Sequence, residues 1–105
     1  MDMLKGKVAV VTGGTRGIGY SIVETFLRNG ATVVLLGSRQ ETVDKALASL
    51  KEADPAWPVE GFAPKLDDYN AMQELFAQLH EKYGRIDILV NNAGVSARES
   101  LYTYD

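Results

Sequence analysis

A chain of 105 residues with 46% hydrophobic and 24% charged side chains has the composition of one globular domain with a real core, and is too short for two. A formal charge of −3 with no cluster of Lys or Arg excludes a phosphate-backbone binder, so nucleic acid is not expected as a partner. The absence of cysteine excludes disulfides, thiolate metal sites and thiol catalysis, and no apolar run approaches the roughly 20 residues that span a bilayer. The opening Met1-Asp2-Met3-Leu4-Lys5-Gly6-Lys7 also lacks the apolar core of a signal peptide. These features predict a soluble, cytoplasmic protein with no membrane partner.

Val8-Ala9-Val10-Val11 is a short apolar run rich in β-branched residues and followed by glycines, the pattern of a strand buried on both faces. From Ile18 the apolar period becomes helical, with Ile18, Ile22, Val23, Phe26 and Leu27 on one side and Asn29-Gly30 as the stop. Val33 to Leu36 reads as a second buried strand, and Val43, Ala46, Leu47 and Leu50 mark the apolar face of a second helix. Pro55 and Pro58 bracket the next connection, with Trp57 between them as a loop anchor. Val59 to Ala63 is a weaker third strand. Met72, Leu75, Phe76, Leu79 and Tyr83 define a third amphipathic helix closed by Gly84, with Asp67 and Asp68 as candidate N-caps, and Ile86 to Val90 forms a fourth strand.

Strands alternating with helices predict an α/β fold with a parallel sheet and right-handed crossovers, in the order β-α-β-α-β-α-β. Val95 to Asp105 makes no complete element. A parallel sheet that stopped at its fourth strand would leave an apolar edge and an uncovered face, so residues 1–105 are expected to be the amino-terminal portion of a longer single domain.

Between the first strand and first helix lies Thr12-Gly13-Gly14-Thr15-Arg16-Gly17-Ile18-Gly19. Phosphate binding needs a tight turn, a backbone clear of side chains, and a helix N-terminus whose unpaired N–H groups face the anion. Gly13, Gly17 and Gly19 are spaced to supply these. The pattern T-G-x-x-x-G-x-G, together with Asn91-Asn92-Ala93-Gly94 at the end of the fourth strand, resembles the short-chain dehydrogenase/reductase family over essentially the whole chain. The resemblance implies a Rossmann-type doubly wound sheet with NAD(P) across the carboxyl ends of its strands. It also implies cofactor contacts from Gly13, Thr15, Arg16, Gly17, Ile18 and Gly19 of the turn, Ser38 and Arg39, Leu66 and Asp67, and Asn91, Ala93 and Gly94.

In such folds the residue closing the second strand discriminates NAD from NADP, since a carboxylate there accepts from the ribose 2′-hydroxyl and repels a 2′-phosphate. Here Leu36-Gly37-Ser38-Arg39-Gln40 carries no acid until Glu41, and Arg39 with Arg16 can clamp a phosphate, so NADP is favoured over NAD. Ser38-x-x-Glu41 also fits a capping box for the second helix. One departure concerns the adenine: the resemblance implies an acidic residue just after the third strand, and Lys65 stands there, with Asp67 two residues on.

The family's chemistry uses a tyrosine as acid/base, a lysine four residues later and a serine that orients the carbonyl. Tyr20, Tyr69 and Tyr83 are followed at that spacing by Glu24, Gln73 and Asp87, and the sequence ends before it for Tyr102 and Tyr104. No catalytic residue is therefore assigned. His80 lacks a Cys or His partner and is expected as a solvated helix residue, so no metal site is assigned either. Ser96 and Ser100 lie near the expected cofactor mouth without a histidine base.

The leading expectation is the amino-terminal part of an NADP-dependent alcohol/ketone oxidoreductase, whose small-molecule substrate and homo-oligomer contacts belong to the parent protein. Phe62-Ala63-Pro64 and Gln40-Glu41-Thr42-Val43-Asp44 are similar to bacterial hydroxysteroid (bile-acid) dehydrogenases and, more distantly, oxoacyl-carrier-protein reductases. The alternative is a stand-alone nucleotide-binding or interaction module without catalysis. A response-regulator-like switch is disfavoured because no aspartate ends the first strand.

Overall fold

Side chains alternate across each strand, and here that alternation sorts the core into two halves. The computed structural model describes residues 3–65 and 67–92. The elements run β1 (Val8–Thr12), α1 (Gly17–Arg28), β2 (Thr32–Leu36), α2 (Gln40–Ala53), β3 (Val59–Phe62), α3 (Tyr69–Tyr83) and β4 (Ile88–Asn91). Ala9, Val11, Val33 and Leu35 share one cluster with Val23 and Leu27 of α1 and Val43, Ala46 and Leu50 of α2. Val10, Val34 and Leu36 share the other with Leu75 and Leu79 of α3. Helices thus cover both faces, which is why β1 and β2 read as continuous apolar runs.

All pairings are parallel, in the strand order β3-β2-β1-β4. This is the α/β, Rossmann-type doubly wound arrangement expected from the sequence. The order turns back at β1: the chain first steps outward to β2 and β3, then crosses over to place β4 on the other side of β1. Within the described sheet β4 lies at an edge, where Ile88 and Val90 pack against the α1/α2 cluster while Leu89 is 58% exposed on the α3 side. Among the described residues, no helix is long and apolar enough to cross a membrane.

Several local expectations are corrected. Ile18, placed by periodicity on the apolar face of α1, is 74% exposed, because the buried line of the helix runs through Gly19, Val23 and Leu27 and Ile18 falls outside it. The Ser38 capping box does not form. Arg39 is the N-cap residue of α2 and gives no side-chain cap bond, while the Thr42 hydroxyl donates to the Arg39 carbonyl at 3.0 Å. The fourth strand starts at Ile88 rather than Ile86, which packs instead against the α3 cluster. Asp68, not Asp67, caps α3, its Oδ1 accepting from Ala71 N–H at 3.0 Å. Trp57 is half-buried against the α1/α2 cluster with the Arg28 guanidinium 5.5 Å from its ring centroid, and His80 is exposed.

A side-chain clasp sets the register of β4 against β1. Val8 N–H donates to Asp87 Oδ2 at 2.8 Å, and Asp87 N–H donates to the Val8 carbonyl at 2.8 Å. Arg85 completes the clasp, reaching Asp87 Oδ2 from Nε at 3.1 Å and the Gly6 carbonyl from Nη2 at 2.7 Å.

Two expected outcomes follow from this packing. Leu35→Ala, at a fully buried site, lowers unfolding free energy by about 2–5 kcal/mol, whereas Leu89→Ser changes it by about 0.5 kcal/mol or less, as read by urea denaturation. The Val8 N–H bond, followed by the charges of Arg85 and Lys7, holds the Asp87 carboxyl below its ordinary value against the opposing effect of burial. A depressed folded-state pKa adds stability above the unfolded carboxylate value and loses it as pH falls through the folded one. The stability gap between the native chain and Asp87→Asn is therefore full above about pH 4 and closes in stronger acid, as denaturant midpoints against pH would record.

Candidate functional site

The strand order reverses at β1, and in open α/β sheets ligands bind at such a switch point outside the carboxyl ends of the strands, which is where the glycine turn follows β1. Thr12 ends β1 here, only 6% exposed. Its hydroxyl lies 3.0 Å from Asn91 Oδ1 and 3.3 Å from the Val90 carbonyl, and accepts from Asn92 N–H at 2.8 Å. Asn92 Nδ2 then donates to the Gly13 carbonyl at 3.4 Å. One hydroxyl and one amide thus tie the end of β1, the start of the turn and the end of β4 into a single unit.

The turn passes from strand to helix through left-handed backbone at Gly13 (φ 66°) and Gly17 (φ 61°), a region costly for any residue with a Cβ. Gly19 is required for a different reason. A Cβ there would collide with the Gly13 carbonyl and sit 2.9 Å from Asn92 Nδ2, so its absence lets α1 approach the turn and β4 together. The other wall is held to β2 by the Gly14 N–H, which donates to the Leu36 carbonyl at 3.2 Å. Thr15 rests against Gly37 just beyond β2, where a Cβ would stand 2.6 Å from Thr15 Cγ2.

The start of α1 is left open. Arg16, its N-cap residue, makes no side-chain cap bond, and the first turn contains no acidic residue, whereas α3 is closed by Asp68. Arg16, Gly17 and Ile18 are exposed, and nothing lies within 4 Å of where a Gly17 Cβ would project. Uncapped N–H groups at the positive end of a helix dipole, beside backbone bare of side chains, suit a pyrophosphate.

The other expected residues distribute around this centre. Ser38 and Arg39 are exposed just past the end of β2, Arg39 in a 3.5 Å ion pair with exposed Glu41. Asp67 is exposed in the turn before α3, which the Asp68 N–H closes by donating to the Lys65 carbonyl at 3.0 Å. Asn91 meets Thr12 at the end of β4. Leu66, Ala93 and Gly94 lie outside the described residues, as do Ser96, Ser100, Tyr102 and Tyr104. Among the described residues no group of three or more His, Cys, Asp or Glu is placed to hold a metal ion.

Thr12 and Asn92 belong to the site although neither was assigned a role from the sequence. Both stand inside the two quoted motifs, so the signal was present. A threonine ending an apolar strand reads as one more β-branched core residue, and the pairing of its hydroxyl with a position 80 residues away is a tertiary fact.

Residues 7–105 match the model of the family described as short chain dehydrogenase. The 3alpha-hydroxysteroid dehydrogenase of Mediterraneibacter gnavus is 54% identical over 102 residues, covering 97% of this chain and 41% of the relative. A metagenomic short-chain oxidoreductase in complex with NADP superposes with TM-score 0.80 at 37% identity, over 88% of this chain and 41% of that one. An NAD+-bound xylitol dehydrogenase superposes with TM-score 0.80 at 28% identity, over 89% and 35%. The chain therefore spans about two fifths of the length of the proteins it matches.

Replacing the Thr12 hydroxyl tests the tie directly. Thr12→Val keeps the shape but strands the Asn92 N–H, and is expected to cost about 1–3 kcal/mol, whereas Thr12→Ser retains most of the native stability; thermal or urea unfolding of the two variants separates shape from hydrogen bonding.

Proposed function

From the premise that this chain belongs to the short-chain dehydrogenase family, we propose that it is the cofactor-binding portion of an NAD(P)-dependent oxidoreductase acting on an alcohol/ketone pair, with NADP preferred. The observation that carries the reading is the uncapped start of α1, set beside the bare backbone of Gly13, Gly17 and Gly19 at the switch point of the sheet. When bound there, the nicotinamide cofactor gives a hydride to a carbonyl carbon or takes one from an alcohol carbon.

The chain's own residues bind and orient. The N–H groups at the start of α1 receive the pyrophosphate, and exposed Ile18 supplies an apolar contact at the mouth. Thr12, Asn91 and Asn92 hold the β4 end at a fixed distance from the turn. Arg39 and Arg16 flank the ribose side, and the absence of an acid at Ser38 or Arg39 removes the repulsion that would exclude a 2′-phosphate. Leu66 and Asp67 are proposed on the adenine side, with Ala93 and Gly94 beside the ribose.

The coverage of relatives and the exposure of Leu89 on the edge strand support a longer domain in which these residues form the amino-terminal portion. In this reading the proton donor to the carbonyl, the substrate pocket and the contacts of a cytoplasmic homo-oligomer lie outside residues 1–105. The 54% identical relative makes a steroid hydroxyl the first alcohol to assay.

Two measurements on the natural polypeptide test the proposal. Its intact mass is expected well above the 11.5 kDa of these residues; a mass equal to it would favour a binding module without catalysis. Fluorescence titration is expected to show tighter binding of NADPH than NADH, with Arg39→Ala weakening NADPH about tenfold and NADH little. Equal affinity for the two in the native protein would overturn the preference, and failure to bind either would overturn the cofactor site.

A further inference from the structure

Strands β2 and β3 run parallel with Leu36 level with Phe62, and the Gly37 N–H donates to the Phe62 carbonyl at 3.0 Å, carrying the pairing past the end of β2. Arg39 and Lys65 each stand three positions beyond that paired couple, past the ends of neighbouring strands that lie about 4.8 Å apart. On the opposite side of β2, β1 leads into the turn that carries Arg16. The order β3-β2-β1 therefore sets Lys65, Arg39 and Arg16 in a row along the carboxyl edge of the sheet, with Arg39 in the middle and all three exposed.

Three acids stand near this row. Asp68 is engaged in capping α3, Glu41 pairs with Arg39 from the start of α2, and Asp67 is an exposed single charge in the turn. Among the described residues Lys65 makes no ion pair.

We propose that Lys65 is a specificity-determining residue that binds the 2′-phosphate of the cofactor together with Arg39, a role that rests on the NADP preference proposed above. The two cations are complementary in kind. A guanidinium offers a planar fork to two phosphate oxygens, while an ammonium on a flexible four-carbon stem reaches the remaining one as a point charge. Lys65 approaches from the β3 side and Arg16 from the β1 side, so a dianion over Arg39 is flanked on both. The lysine thus reads the phosphate rather than the adenine ring.

The test uses 2′,5′-ADP and 5′-AMP, which differ only in the 2′-phosphate, titrated calorimetrically into the natural polypeptide carrying these residues and its variants. Lys65→Gln is expected to weaken 2′,5′-ADP about three- to tenfold while leaving 5′-AMP unchanged, with Lys65→Arg keeping the native affinity and the difference shrinking in high salt. If Arg39→Gln weakens 2′,5′-ADP and Lys65→Gln does not, the role of Lys65 is overturned while the NADP preference stands. If Lys65→Gln weakens both probes equally, it serves the adenosine and the proposal fails. If the native protein binds the two probes with equal affinity, the NADP preference itself is overturned, and the role of Lys65 with it.

Discussion

The site depends on one hydroxyl. Thr12 sits where β1 ends, and its Oγ accepts from the Asn92 N–H while its proton faces the carbonyl of Val90 and the amide oxygen of Asn91. Parallel strands joined by a long crossover have no hairpin to hold them in register, so side chains at their ends take over that task. At the other end of the same pair, the Asp87 carboxylate and the Val8 N–H do the equivalent work. With both ends pinned, the ladder from Ala9↔Ile88 to Thr12↔Asn91 has one register, and the Gly13 carbonyl is delivered to Asn92 Nδ2.

Everything on the binding side follows from how closely α1 can approach this tie. Gly19 allows the helix to come up against Gly13 and Asn92, and Gly37 leaves room for Thr15 against β2. The helix start is consequently fixed on two sides, by β4 through Asn92 and by β2 through the turn, while its third side is open. An N-terminus held rigidly and left uncapped keeps its N–H groups directed outward before any ligand arrives, which reduces the ordering cost of binding. A side-chain cap of the kind Asp68 gives α3 would satisfy the same donors and compete with an anion.

The fold was legible because its signals are local and redundant. Apolar runs at Val8–Val11 and Val33–Leu36, a helical period through Val23 and Leu27, and the left-handed Gly84 closing α3 each point to the same alternation. The glycine turn was legible too, since its spacing reports backbone demands directly. The failures share a cause. Ile18 has the right period for the core, yet the line of α1 that docks runs through Gly19, Val23 and Leu27 and leaves it exposed. Ser38 has the right spacing for a cap, yet the chain enters α2 one residue later. Thr12 looks like a core β-branched residue until its partner, 80 positions on, is in place. Each depends on where another element lies, which periodicity does not encode.

That separation also orders events in time. The β1–β2 pairing and the contact of Gly14 with the Leu36 carbonyl draw on neighbouring sequence, so the inner wall of the turn is complete once β2 has formed. The outer wall waits for Asn91 and Asn92, whose partners lie 79 and 80 residues back along the chain. Closing so long a loop is entropically costly and comes late in folding. A polypeptide emerging from the ribosome amino end first would therefore carry a half-built turn until β4 has emerged, with the Thr12 hydroxyl still open to water. The second wall of the turn would then be set in one step, when β4 docks beside β1 and Asn92 reaches Thr12 and Gly13.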